Sequence, residues 1–445
     1  MRNLLTIDDT LGNKISYYHL AFFLITLPFD RLFSELALIS FLIHTIIHLT
    51  RNKTKMALRK ETIVVSAVFF ITLLGLTYSD DRSQGMKDLQ RQLAILLWPI
   101  LLAVSGIDLG KYKLRLLQVF GWTCVLTIIY LYADALRIIL YNKLPLTDLF
   151  TQSFINHNFS SPIDIHATYL AMYCLLSVIV FIYLFVSRSI RTGSFFLMMP
   201  LFVLLAGLLQ LASRSVLISA IMIAVIFPVM MIKGARRSQL VKGITLTGVV
   251  IAILIVSISS FRMRYVGQFK DDLVQSSMNN EILEPRVARW RLVLDLVKQS
   301  PVYGHGSGSE KRLLNESYFK NKLYNSFLHE LNSHNQYLSL SLKSGLIGLT
   351  IFLISLFIAC RIALMNRDPF LGGLLVMIVV VSFSENILDV NKGIFFYSFF
   401  LSLFILSGKP FERLYRLNTM REGHIQSRPQ NKRENAAVVS SDNHL

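Results

Sequence analysis

Long apolar runs separated by short charged knots follow one another along most of this chain. About twenty apolar residues in a helix cross the ~30 Å hydrocarbon core of a bilayer. Such runs lie approximately at 15–29, 33–49, 61–78, 92–107, 114–139, 166–187, 195–212, 215–232, 242–260, 335–360, 370–388 and 393–408. The pattern predicts an all-α polytopic membrane protein with about twelve transmembrane helices. Composition agrees: charged residues make up 16% of the chain, against about 25% in ordinary soluble domains. A soluble enzyme, a secreted disulfide scaffold and a disordered chain are all excluded.

The net charge of +18 would suggest a nucleic-acid partner in a soluble protein. In a membrane protein basic residues gather in cytoplasmic loops and set orientation. With the N-terminus inside, alternate loops hold Arg51, Lys53, Lys55, Arg59 and Lys60, then Lys111, Lys113 and Arg115, then Arg188 and Arg191, then Lys233, Arg236, Arg237 and Lys242, then Arg361 and Arg367. The opposite short loops are poorer in them. Both termini are therefore expected to be cytoplasmic, and no nucleic-acid partner is expected. Asp8 and Asp9 precede the first apolar run and no small-residue cleavage site follows it, which argues against a removable signal peptide. Cys124, Cys174 and Cys360 lie in or at the ends of apolar runs, with no CxxC spacing, and read as buried small hydrophobes.

The chain divides into residues 1–260 (nine spans), an external loop at 261–333, three more spans within 334–408, and a polar, basic tail at 409–445 expected to be disordered in the cytoplasm. The loop is periplasmic in a Gram-negative cell and reads as structured. Val287, Trp290, Val293, Leu294 and Val297 recur at helical spacing up to Pro301, and Tyr318 to Leu331 predicts a second amphipathic stretch that buries Phe319, Leu323, Tyr324, Phe327 and Leu328. Between them Gly304-His305-Gly306-Ser307-Gly308 reads as a flexible turn, and it lacks the context of a phosphate-binding fingerprint.

Charges at the rim of spans are costly and are candidates for function. Arg214 sits in a three-residue polar break between two apolar runs. It is either a turn residue snorkelling to the interface or a fixed cation for an anionic head group, a task suited to guanidinium's planar fork. Arg286 and Arg289 are i, i+3 neighbours at the start of the first loop helix, while Arg291 points elsewhere; they are either a solvated basic face or an anion site. His334, followed by Asn335, stands where the loop re-enters the membrane. It can accept a proton from an alcohol near neutral pH or simply cap the helix. Glu385 and Asp389 lie near the external end of the eleventh run and Lys392 begins the twelfth, so Glu385 paired with Lys392 or an arginine could orient a site. No acidic pair demands a metal, although Asp271-Asp272 is a weak candidate.

The basic turn between two spans, the loop with R-x-x-x-W followed by "SPVYGHGSGS", then "SHNQYLSLSLKSGLIGL" and "SENILDVNKGIFFYSFF" together resemble the O-antigen ligase and polymerase superfamily. The motifs are confined to about residues 205–400. The resemblance implies a GT-C-like fold and a metal-independent, inverting glycosyltransferase without a cofactor. Its donor would be a glycan on undecaprenyl pyrophosphate at the periplasmic face of the inner membrane. Its acceptor would be a hydroxyl of lipid A–core (ligase) or of another carrier-linked glycan (polymerase). By position, Arg214 and Arg286 match pyrophosphate-binding arginines, with Arg289 a competitor for Arg286, and His334 matches the catalytic histidine; Asn335 and Glu385 support it. A transporter for a lipid-linked anion is the reading from another class, but here the charges gather at the rim rather than at the midplane.

Overall fold

The computed structural model describes residue 4 and residues 6–187, 194–231, 235–267 and 286–408; the tail at 409–445, Asp271 and Asp272 lie outside them. Among the described residues there is no strand. Each of the twelve apolar runs contains a helix, although that of the eleventh run stops at Val381, short of the expected 388: α1 (Leu11–Thr26), α2 (Arg31–Ile47), α3 (Lys60–Thr77), α4 (Arg82–Val104), α5 (Leu109–Tyr141), α6 (Ala167–Ser187), α7 (Ser194–Leu211), α8 (Arg214–Met231) and α9 (Ala235–Ser257) in the first part. The loop contributes α10 (Arg286–Gln299), α11 (Ser309–Lys320) and α12 (Tyr324–Leu328), after which come α13 (Gln336–Asn366), α14 (Pro369–Val381) and α15 (Asn391–Ser407). Of the described helices, α3, α5, α6, α13 and the Ser238–Ser257 part of α9 are long and apolar enough to cross a membrane; Met198–Leu211, Arg214–Pro228, α14 and α15 are shorter apolar helices.

Local chemistry fixes the helix starts. Asp30, Asp81, Asp108 and Asp368 each accept a backbone N–H of the first turn, at 2.7 Å (Leu32), 3.0 Å (Gln84), 2.9 Å (Lys111) and 3.0 Å (Phe370), satisfying donors that have no partner inside the helix. The core forms around α15, which is buried from Lys392 to Ile405 and packs on α4. Trp98 of α4 meets Phe23 of α1 at 4.3 Å and Phe399 of α15 at 4.7 Å, in tilted and edge-on contacts. Phe120–Phe400 and Tyr173–Phe396 continue the stack onto α5 and α6.

The described part of the 261–333 loop differs from its expected form in three respects, each with a physical cause. On α10 the buried stripe is Arg289, Val293 and Leu296, and Leu294 is 46% exposed. Two stripes satisfy helical spacing there, and the one that meets Leu314 and Tyr318 of α11 and Leu342 of α13 is buried. The second stretch is two helices rather than one, and Phe319 (62%) and Leu328 (74%) are exposed because α11 turns Leu314 and Tyr318 inward. The glycine turn is a wedge, not a hinge. His305 and Gly306 donate backbone N–H groups to Leu342 and Lys343 carbonyls at 2.9 and 2.8 Å, and Ser307 donates to Gly75 at 3.1 Å. Gly345 (φ +60°) breaks α13 opposite this wedge, which frees Leu346 and Ile347 to donate to Pro301 and Val302. Cys124 and Cys174 are buried as expected, whereas Cys360 is exposed on α13.

Candidate active site

The rim of the bundle between α14 and α15, residues 382–390, is not helical. Its backbone groups are taken up by neighbours: Gln336 N–H donates to Ser382 (2.8 Å), Leu388 N–H to the Gln336 side chain (2.8 Å), and Gln92 to Leu388 (3.0 Å). This packing presents the Glu385 carboxylate to two imidazoles. His334 Nδ1 lies 3.6 Å from Glu385 Oε2, and His166 Nε2 lies 4.0 Å from Oε1. Thr168 donates to Oε1 at 3.5 Å and receives a hydrogen bond from Ser213, the residue before Arg214, at 3.4 Å.

Two arginines act on this centre. Arg286 Nη1 donates to the Ser384 carbonyl at 3.2 Å. Arg264, on a single π-helical turn (Met263–Gly267), donates to the Ala212 carbonyl at 3.4 Å. The positive charges of Arg286 and Arg264 both act on His166. Arg214 begins α8 and is half-buried. The ring of His157 stands edge-on to His166 at 4.1 Å. Burial first, then the charges of His166 and Arg264, push the His157 imidazole down to about 4, so it is neutral at physiological pH.

His334 has a left-handed backbone (φ +45°), held on both sides. Asn332 accepts its N–H at 2.9 Å, and Asn335 caps α13 by accepting Tyr337 and Leu338 N–H groups at 3.0 and 3.1 Å. Trp290 of α10 donates to the Ser333 carbonyl at 2.9 Å. Beneath the turn lies a buried ionic network. Glu310 of α11 accepts from Ser333 N–H (3.2 Å), Asn386 (3.3 Å), Lys343 (3.2 Å) and Ser339; Lys343 also reaches both Asp389 oxygens at 2.8 Å. Burial alone would raise the Glu310 carboxyl, but the Lys343 ammonium and the Ser339 and Ser333 hydrogen bonds outweigh it and hold it below the ordinary range.

His334, Glu385 and Arg286 of the sequence candidates thus meet, and Asn335 shapes the helix start beside them. Arg289 is buried one turn further along α10. Lys392 is not the partner of Glu385: its ammonium donates to the Leu27 carbonyl at 2.9 Å and to the Phe29 carbonyl, under the α1–α2 turn. The sequence reading passed over His157, His166, Arg264, Glu310 and Asn386. Only His166, at the rim of an apolar run, carried the signal that singled out His334. A separate apolar cavity of about 820 Å³, lined by Ile25, Val119, Trp122 and Leu126, opens between α1 and α5 and has Asp30 and Asp164 on its wall.

Apolar helices around an aromatic core, with histidine, carboxylate and arginine side chains meeting at one end, define a helical membrane protein with a polar site. Residues 199–353 match the family model described as O-antigen ligase, and the resemblance read from the sequence holds over that stretch. Members of that family are glycosyltransferase-type ligases and polymerases. The matched stretch includes Arg214, Arg264, Arg286 and His334, and leaves His157, His166 and Glu385 outside it. No curated protein matches the chain.

Proposed function

We propose that this protein is an O-antigen ligase-like glycosyltransferase of the bacterial inner membrane. It moves a glycan from undecaprenyl pyrophosphate to a hydroxyl of lipid A–core at the periplasmic face. In this reading the twelve apolar helices span the bilayer in a GT-C-like arrangement, both termini are cytoplasmic and α10–α12 cover the site from outside. The observation that carries the proposal is the His334–Glu385 contact of 3.6 Å, with the charges of Arg286 and Arg264 acting on the neighbouring His166.

The roles follow from the geometry. His334 Nδ1 faces Glu385, so the carboxylate favours the tautomer protonated there and leaves the Nε2 lone pair free. Nε2 takes the proton of the acceptor hydroxyl as its oxygen attacks the anomeric carbon, and Glu385 stabilises the imidazolium that results. The bond from that carbon to the pyrophosphate oxygen breaks on the opposite face, so the configuration inverts. Charge gathers on the departing pyrophosphate, and Arg214, Arg264 and Arg286 take it up with bidentate donors that need no reorganisation. Arg286 rather than Arg289 fills this role because it reaches Ser384, beside Glu385. The arginines supply the charge, so the reading invokes no metal and no cofactor.

The test is a gel of surface and carrier-linked glycans from a deletion strain carrying wild type or His334→Ala. Bare lipid A–core with long chains stranded on the carrier, rescued by wild type alone, is the expected outcome. Core capped by one repeat would make the protein a polymerase instead, and an unchanged glycan pattern would overturn glycan transfer.

A further inference from the structure

Glu310 is fully buried on a loop helix, yet it touches none of the groups assigned to the reaction. Its Oε1 accepts from Ser333 N–H at 3.2 Å and from Asn386 Nδ2 at 3.3 Å. Asn386 Oδ1 in turn accepts from Asn335 N–H at 2.7 Å and from the Ser333 hydroxyl at 3.3 Å. Ser333 and Asn335 flank His334, and Asn386 follows Glu385. One carboxylate therefore fixes the backbone on either side of the histidine and the segment that carries its partner.

Charge balance separates this role from simple neutralisation. Lys343 is a buried cation, but Asp389 already meets it with both oxygens at 2.8 Å, and the negative charge of Asp88 also acts on it. Removing Glu310 leaves Lys343 paired. What is lost is the hold on Ser333 and Asn386. We infer that Glu310 is the positioning residue of the His334–Glu385 pair, a carboxylate of the external loop that sets the separation of acid–base partners it does not contact. This inference rests on the proposed transfer reaction for its kinetic consequences, but its structural claim stands apart from it.

The groups around the pair are Glu385 from the 382–390 segment, which faces His334, His166 just before α6, which His334 acts on, and Arg286 of α10, which acts on Glu385 and His166. If Glu310 sets the first of these contacts, Glu310→Ala, which leaves no acceptor for Ser333 N–H and Asn386 Nδ2, lets Glu385 drift from the imidazole. In the full-length protein in nanodiscs, kcat should fall roughly 10- to 100-fold, the cost of an ångström-scale misplacement, with donor KM changed less than about threefold. Independently of activity, mass spectrometry at a fixed neutral pH should find His334 modified by diethyl pyrocarbonate faster than in wild type, because the turn that holds it is loosened. Wild-type kcat together with an unchanged modification rate would overturn the inference. Should Glu310→Ala not reach the membrane, Asn386→Ser removes the same hold without changing buried charge, and the same two results decide. A wild-type protein without transfer activity whose His334 modification rate still rises in the variant would sink the reaction and keep the positioning role.

Discussion

At the scale of single residues, a carboxylate between two imidazoles distinguishes this rim from a merely solvated one. Glu385→Gln keeps shape and hydrogen bonding but removes the charge that stabilises a protonated His334. Transfer should fall roughly 100-fold or more, with the amount of membrane-inserted protein unchanged; near wild-type glycan in the gel assay would refute the role of the pair. His157 makes a pH prediction of definite sign. Its folded-state value of about 4 lies below the ordinary 6.5, so the stability it contributes is present above pH 6.5 and is lost as pH falls toward 4. Melting temperatures in detergent should decline between pH 7 and pH 4.5, and His157→Asn should decline less over the same range. Equal slopes would remove His157 from the account.

At the scale of elements, the helices were legible because a long apolar run has one cheap solution in a bilayer, a helix that satisfies its own backbone. The site was half legible. His334 and Glu385 stood out as polar groups beside apolar runs, the places where desolvation is costly, and Arg286 as a basic neighbour of Arg289 at the start of a loop helix. Glu310 and Asn386 gave no such signal, because their partners are far away in sequence and the loop they join has no strong period. The face of α10 was misread for a related reason: it buries Arg289, which a hydrophobic pattern assigns to solvent. The glycine wedge is the element whose disruption should be most costly. At Gly308 (φ +87°) a methyl group would stand 2.7 Å from the Asp81 carbonyl oxygen, whereas at Gly243 nothing lies within 4 Å. Gly308→Ala should destabilise the protein by more than about 1 kcal/mol and Gly243→Ala should not, a contrast that thermal melts of the two variants would check.

For the whole molecule, the open question is orientation. In a background without Cys124, Cys174 and Cys360, a cysteine at Lys143 or Lys322 should react with an impermeant maleimide added to intact spheroplasts. One at Arg59 or Lys113 should react only after the membrane is opened. The reverse pattern would place the histidines and arginines in the cytoplasm and remove the periplasmic reading. Such a result would leave the packing around α15 untouched, since the aromatic core does not depend on which way the bundle faces.

The left-handed backbone at His334 has a consequence for which replacements the position tolerates. Outside glycine, asparagine and aspartate join histidine as the residues that enter this region most readily, and β-branched side chains are the worst. A saturation library at this codon should therefore split on two axes. Asparagine and glycine would accumulate in the membrane like the parent yet build no glycan, while valine and isoleucine would be scarce as protein. An assay of abundance would rank the substitutions by backbone tolerance, and an assay of product would recognise histidine alone.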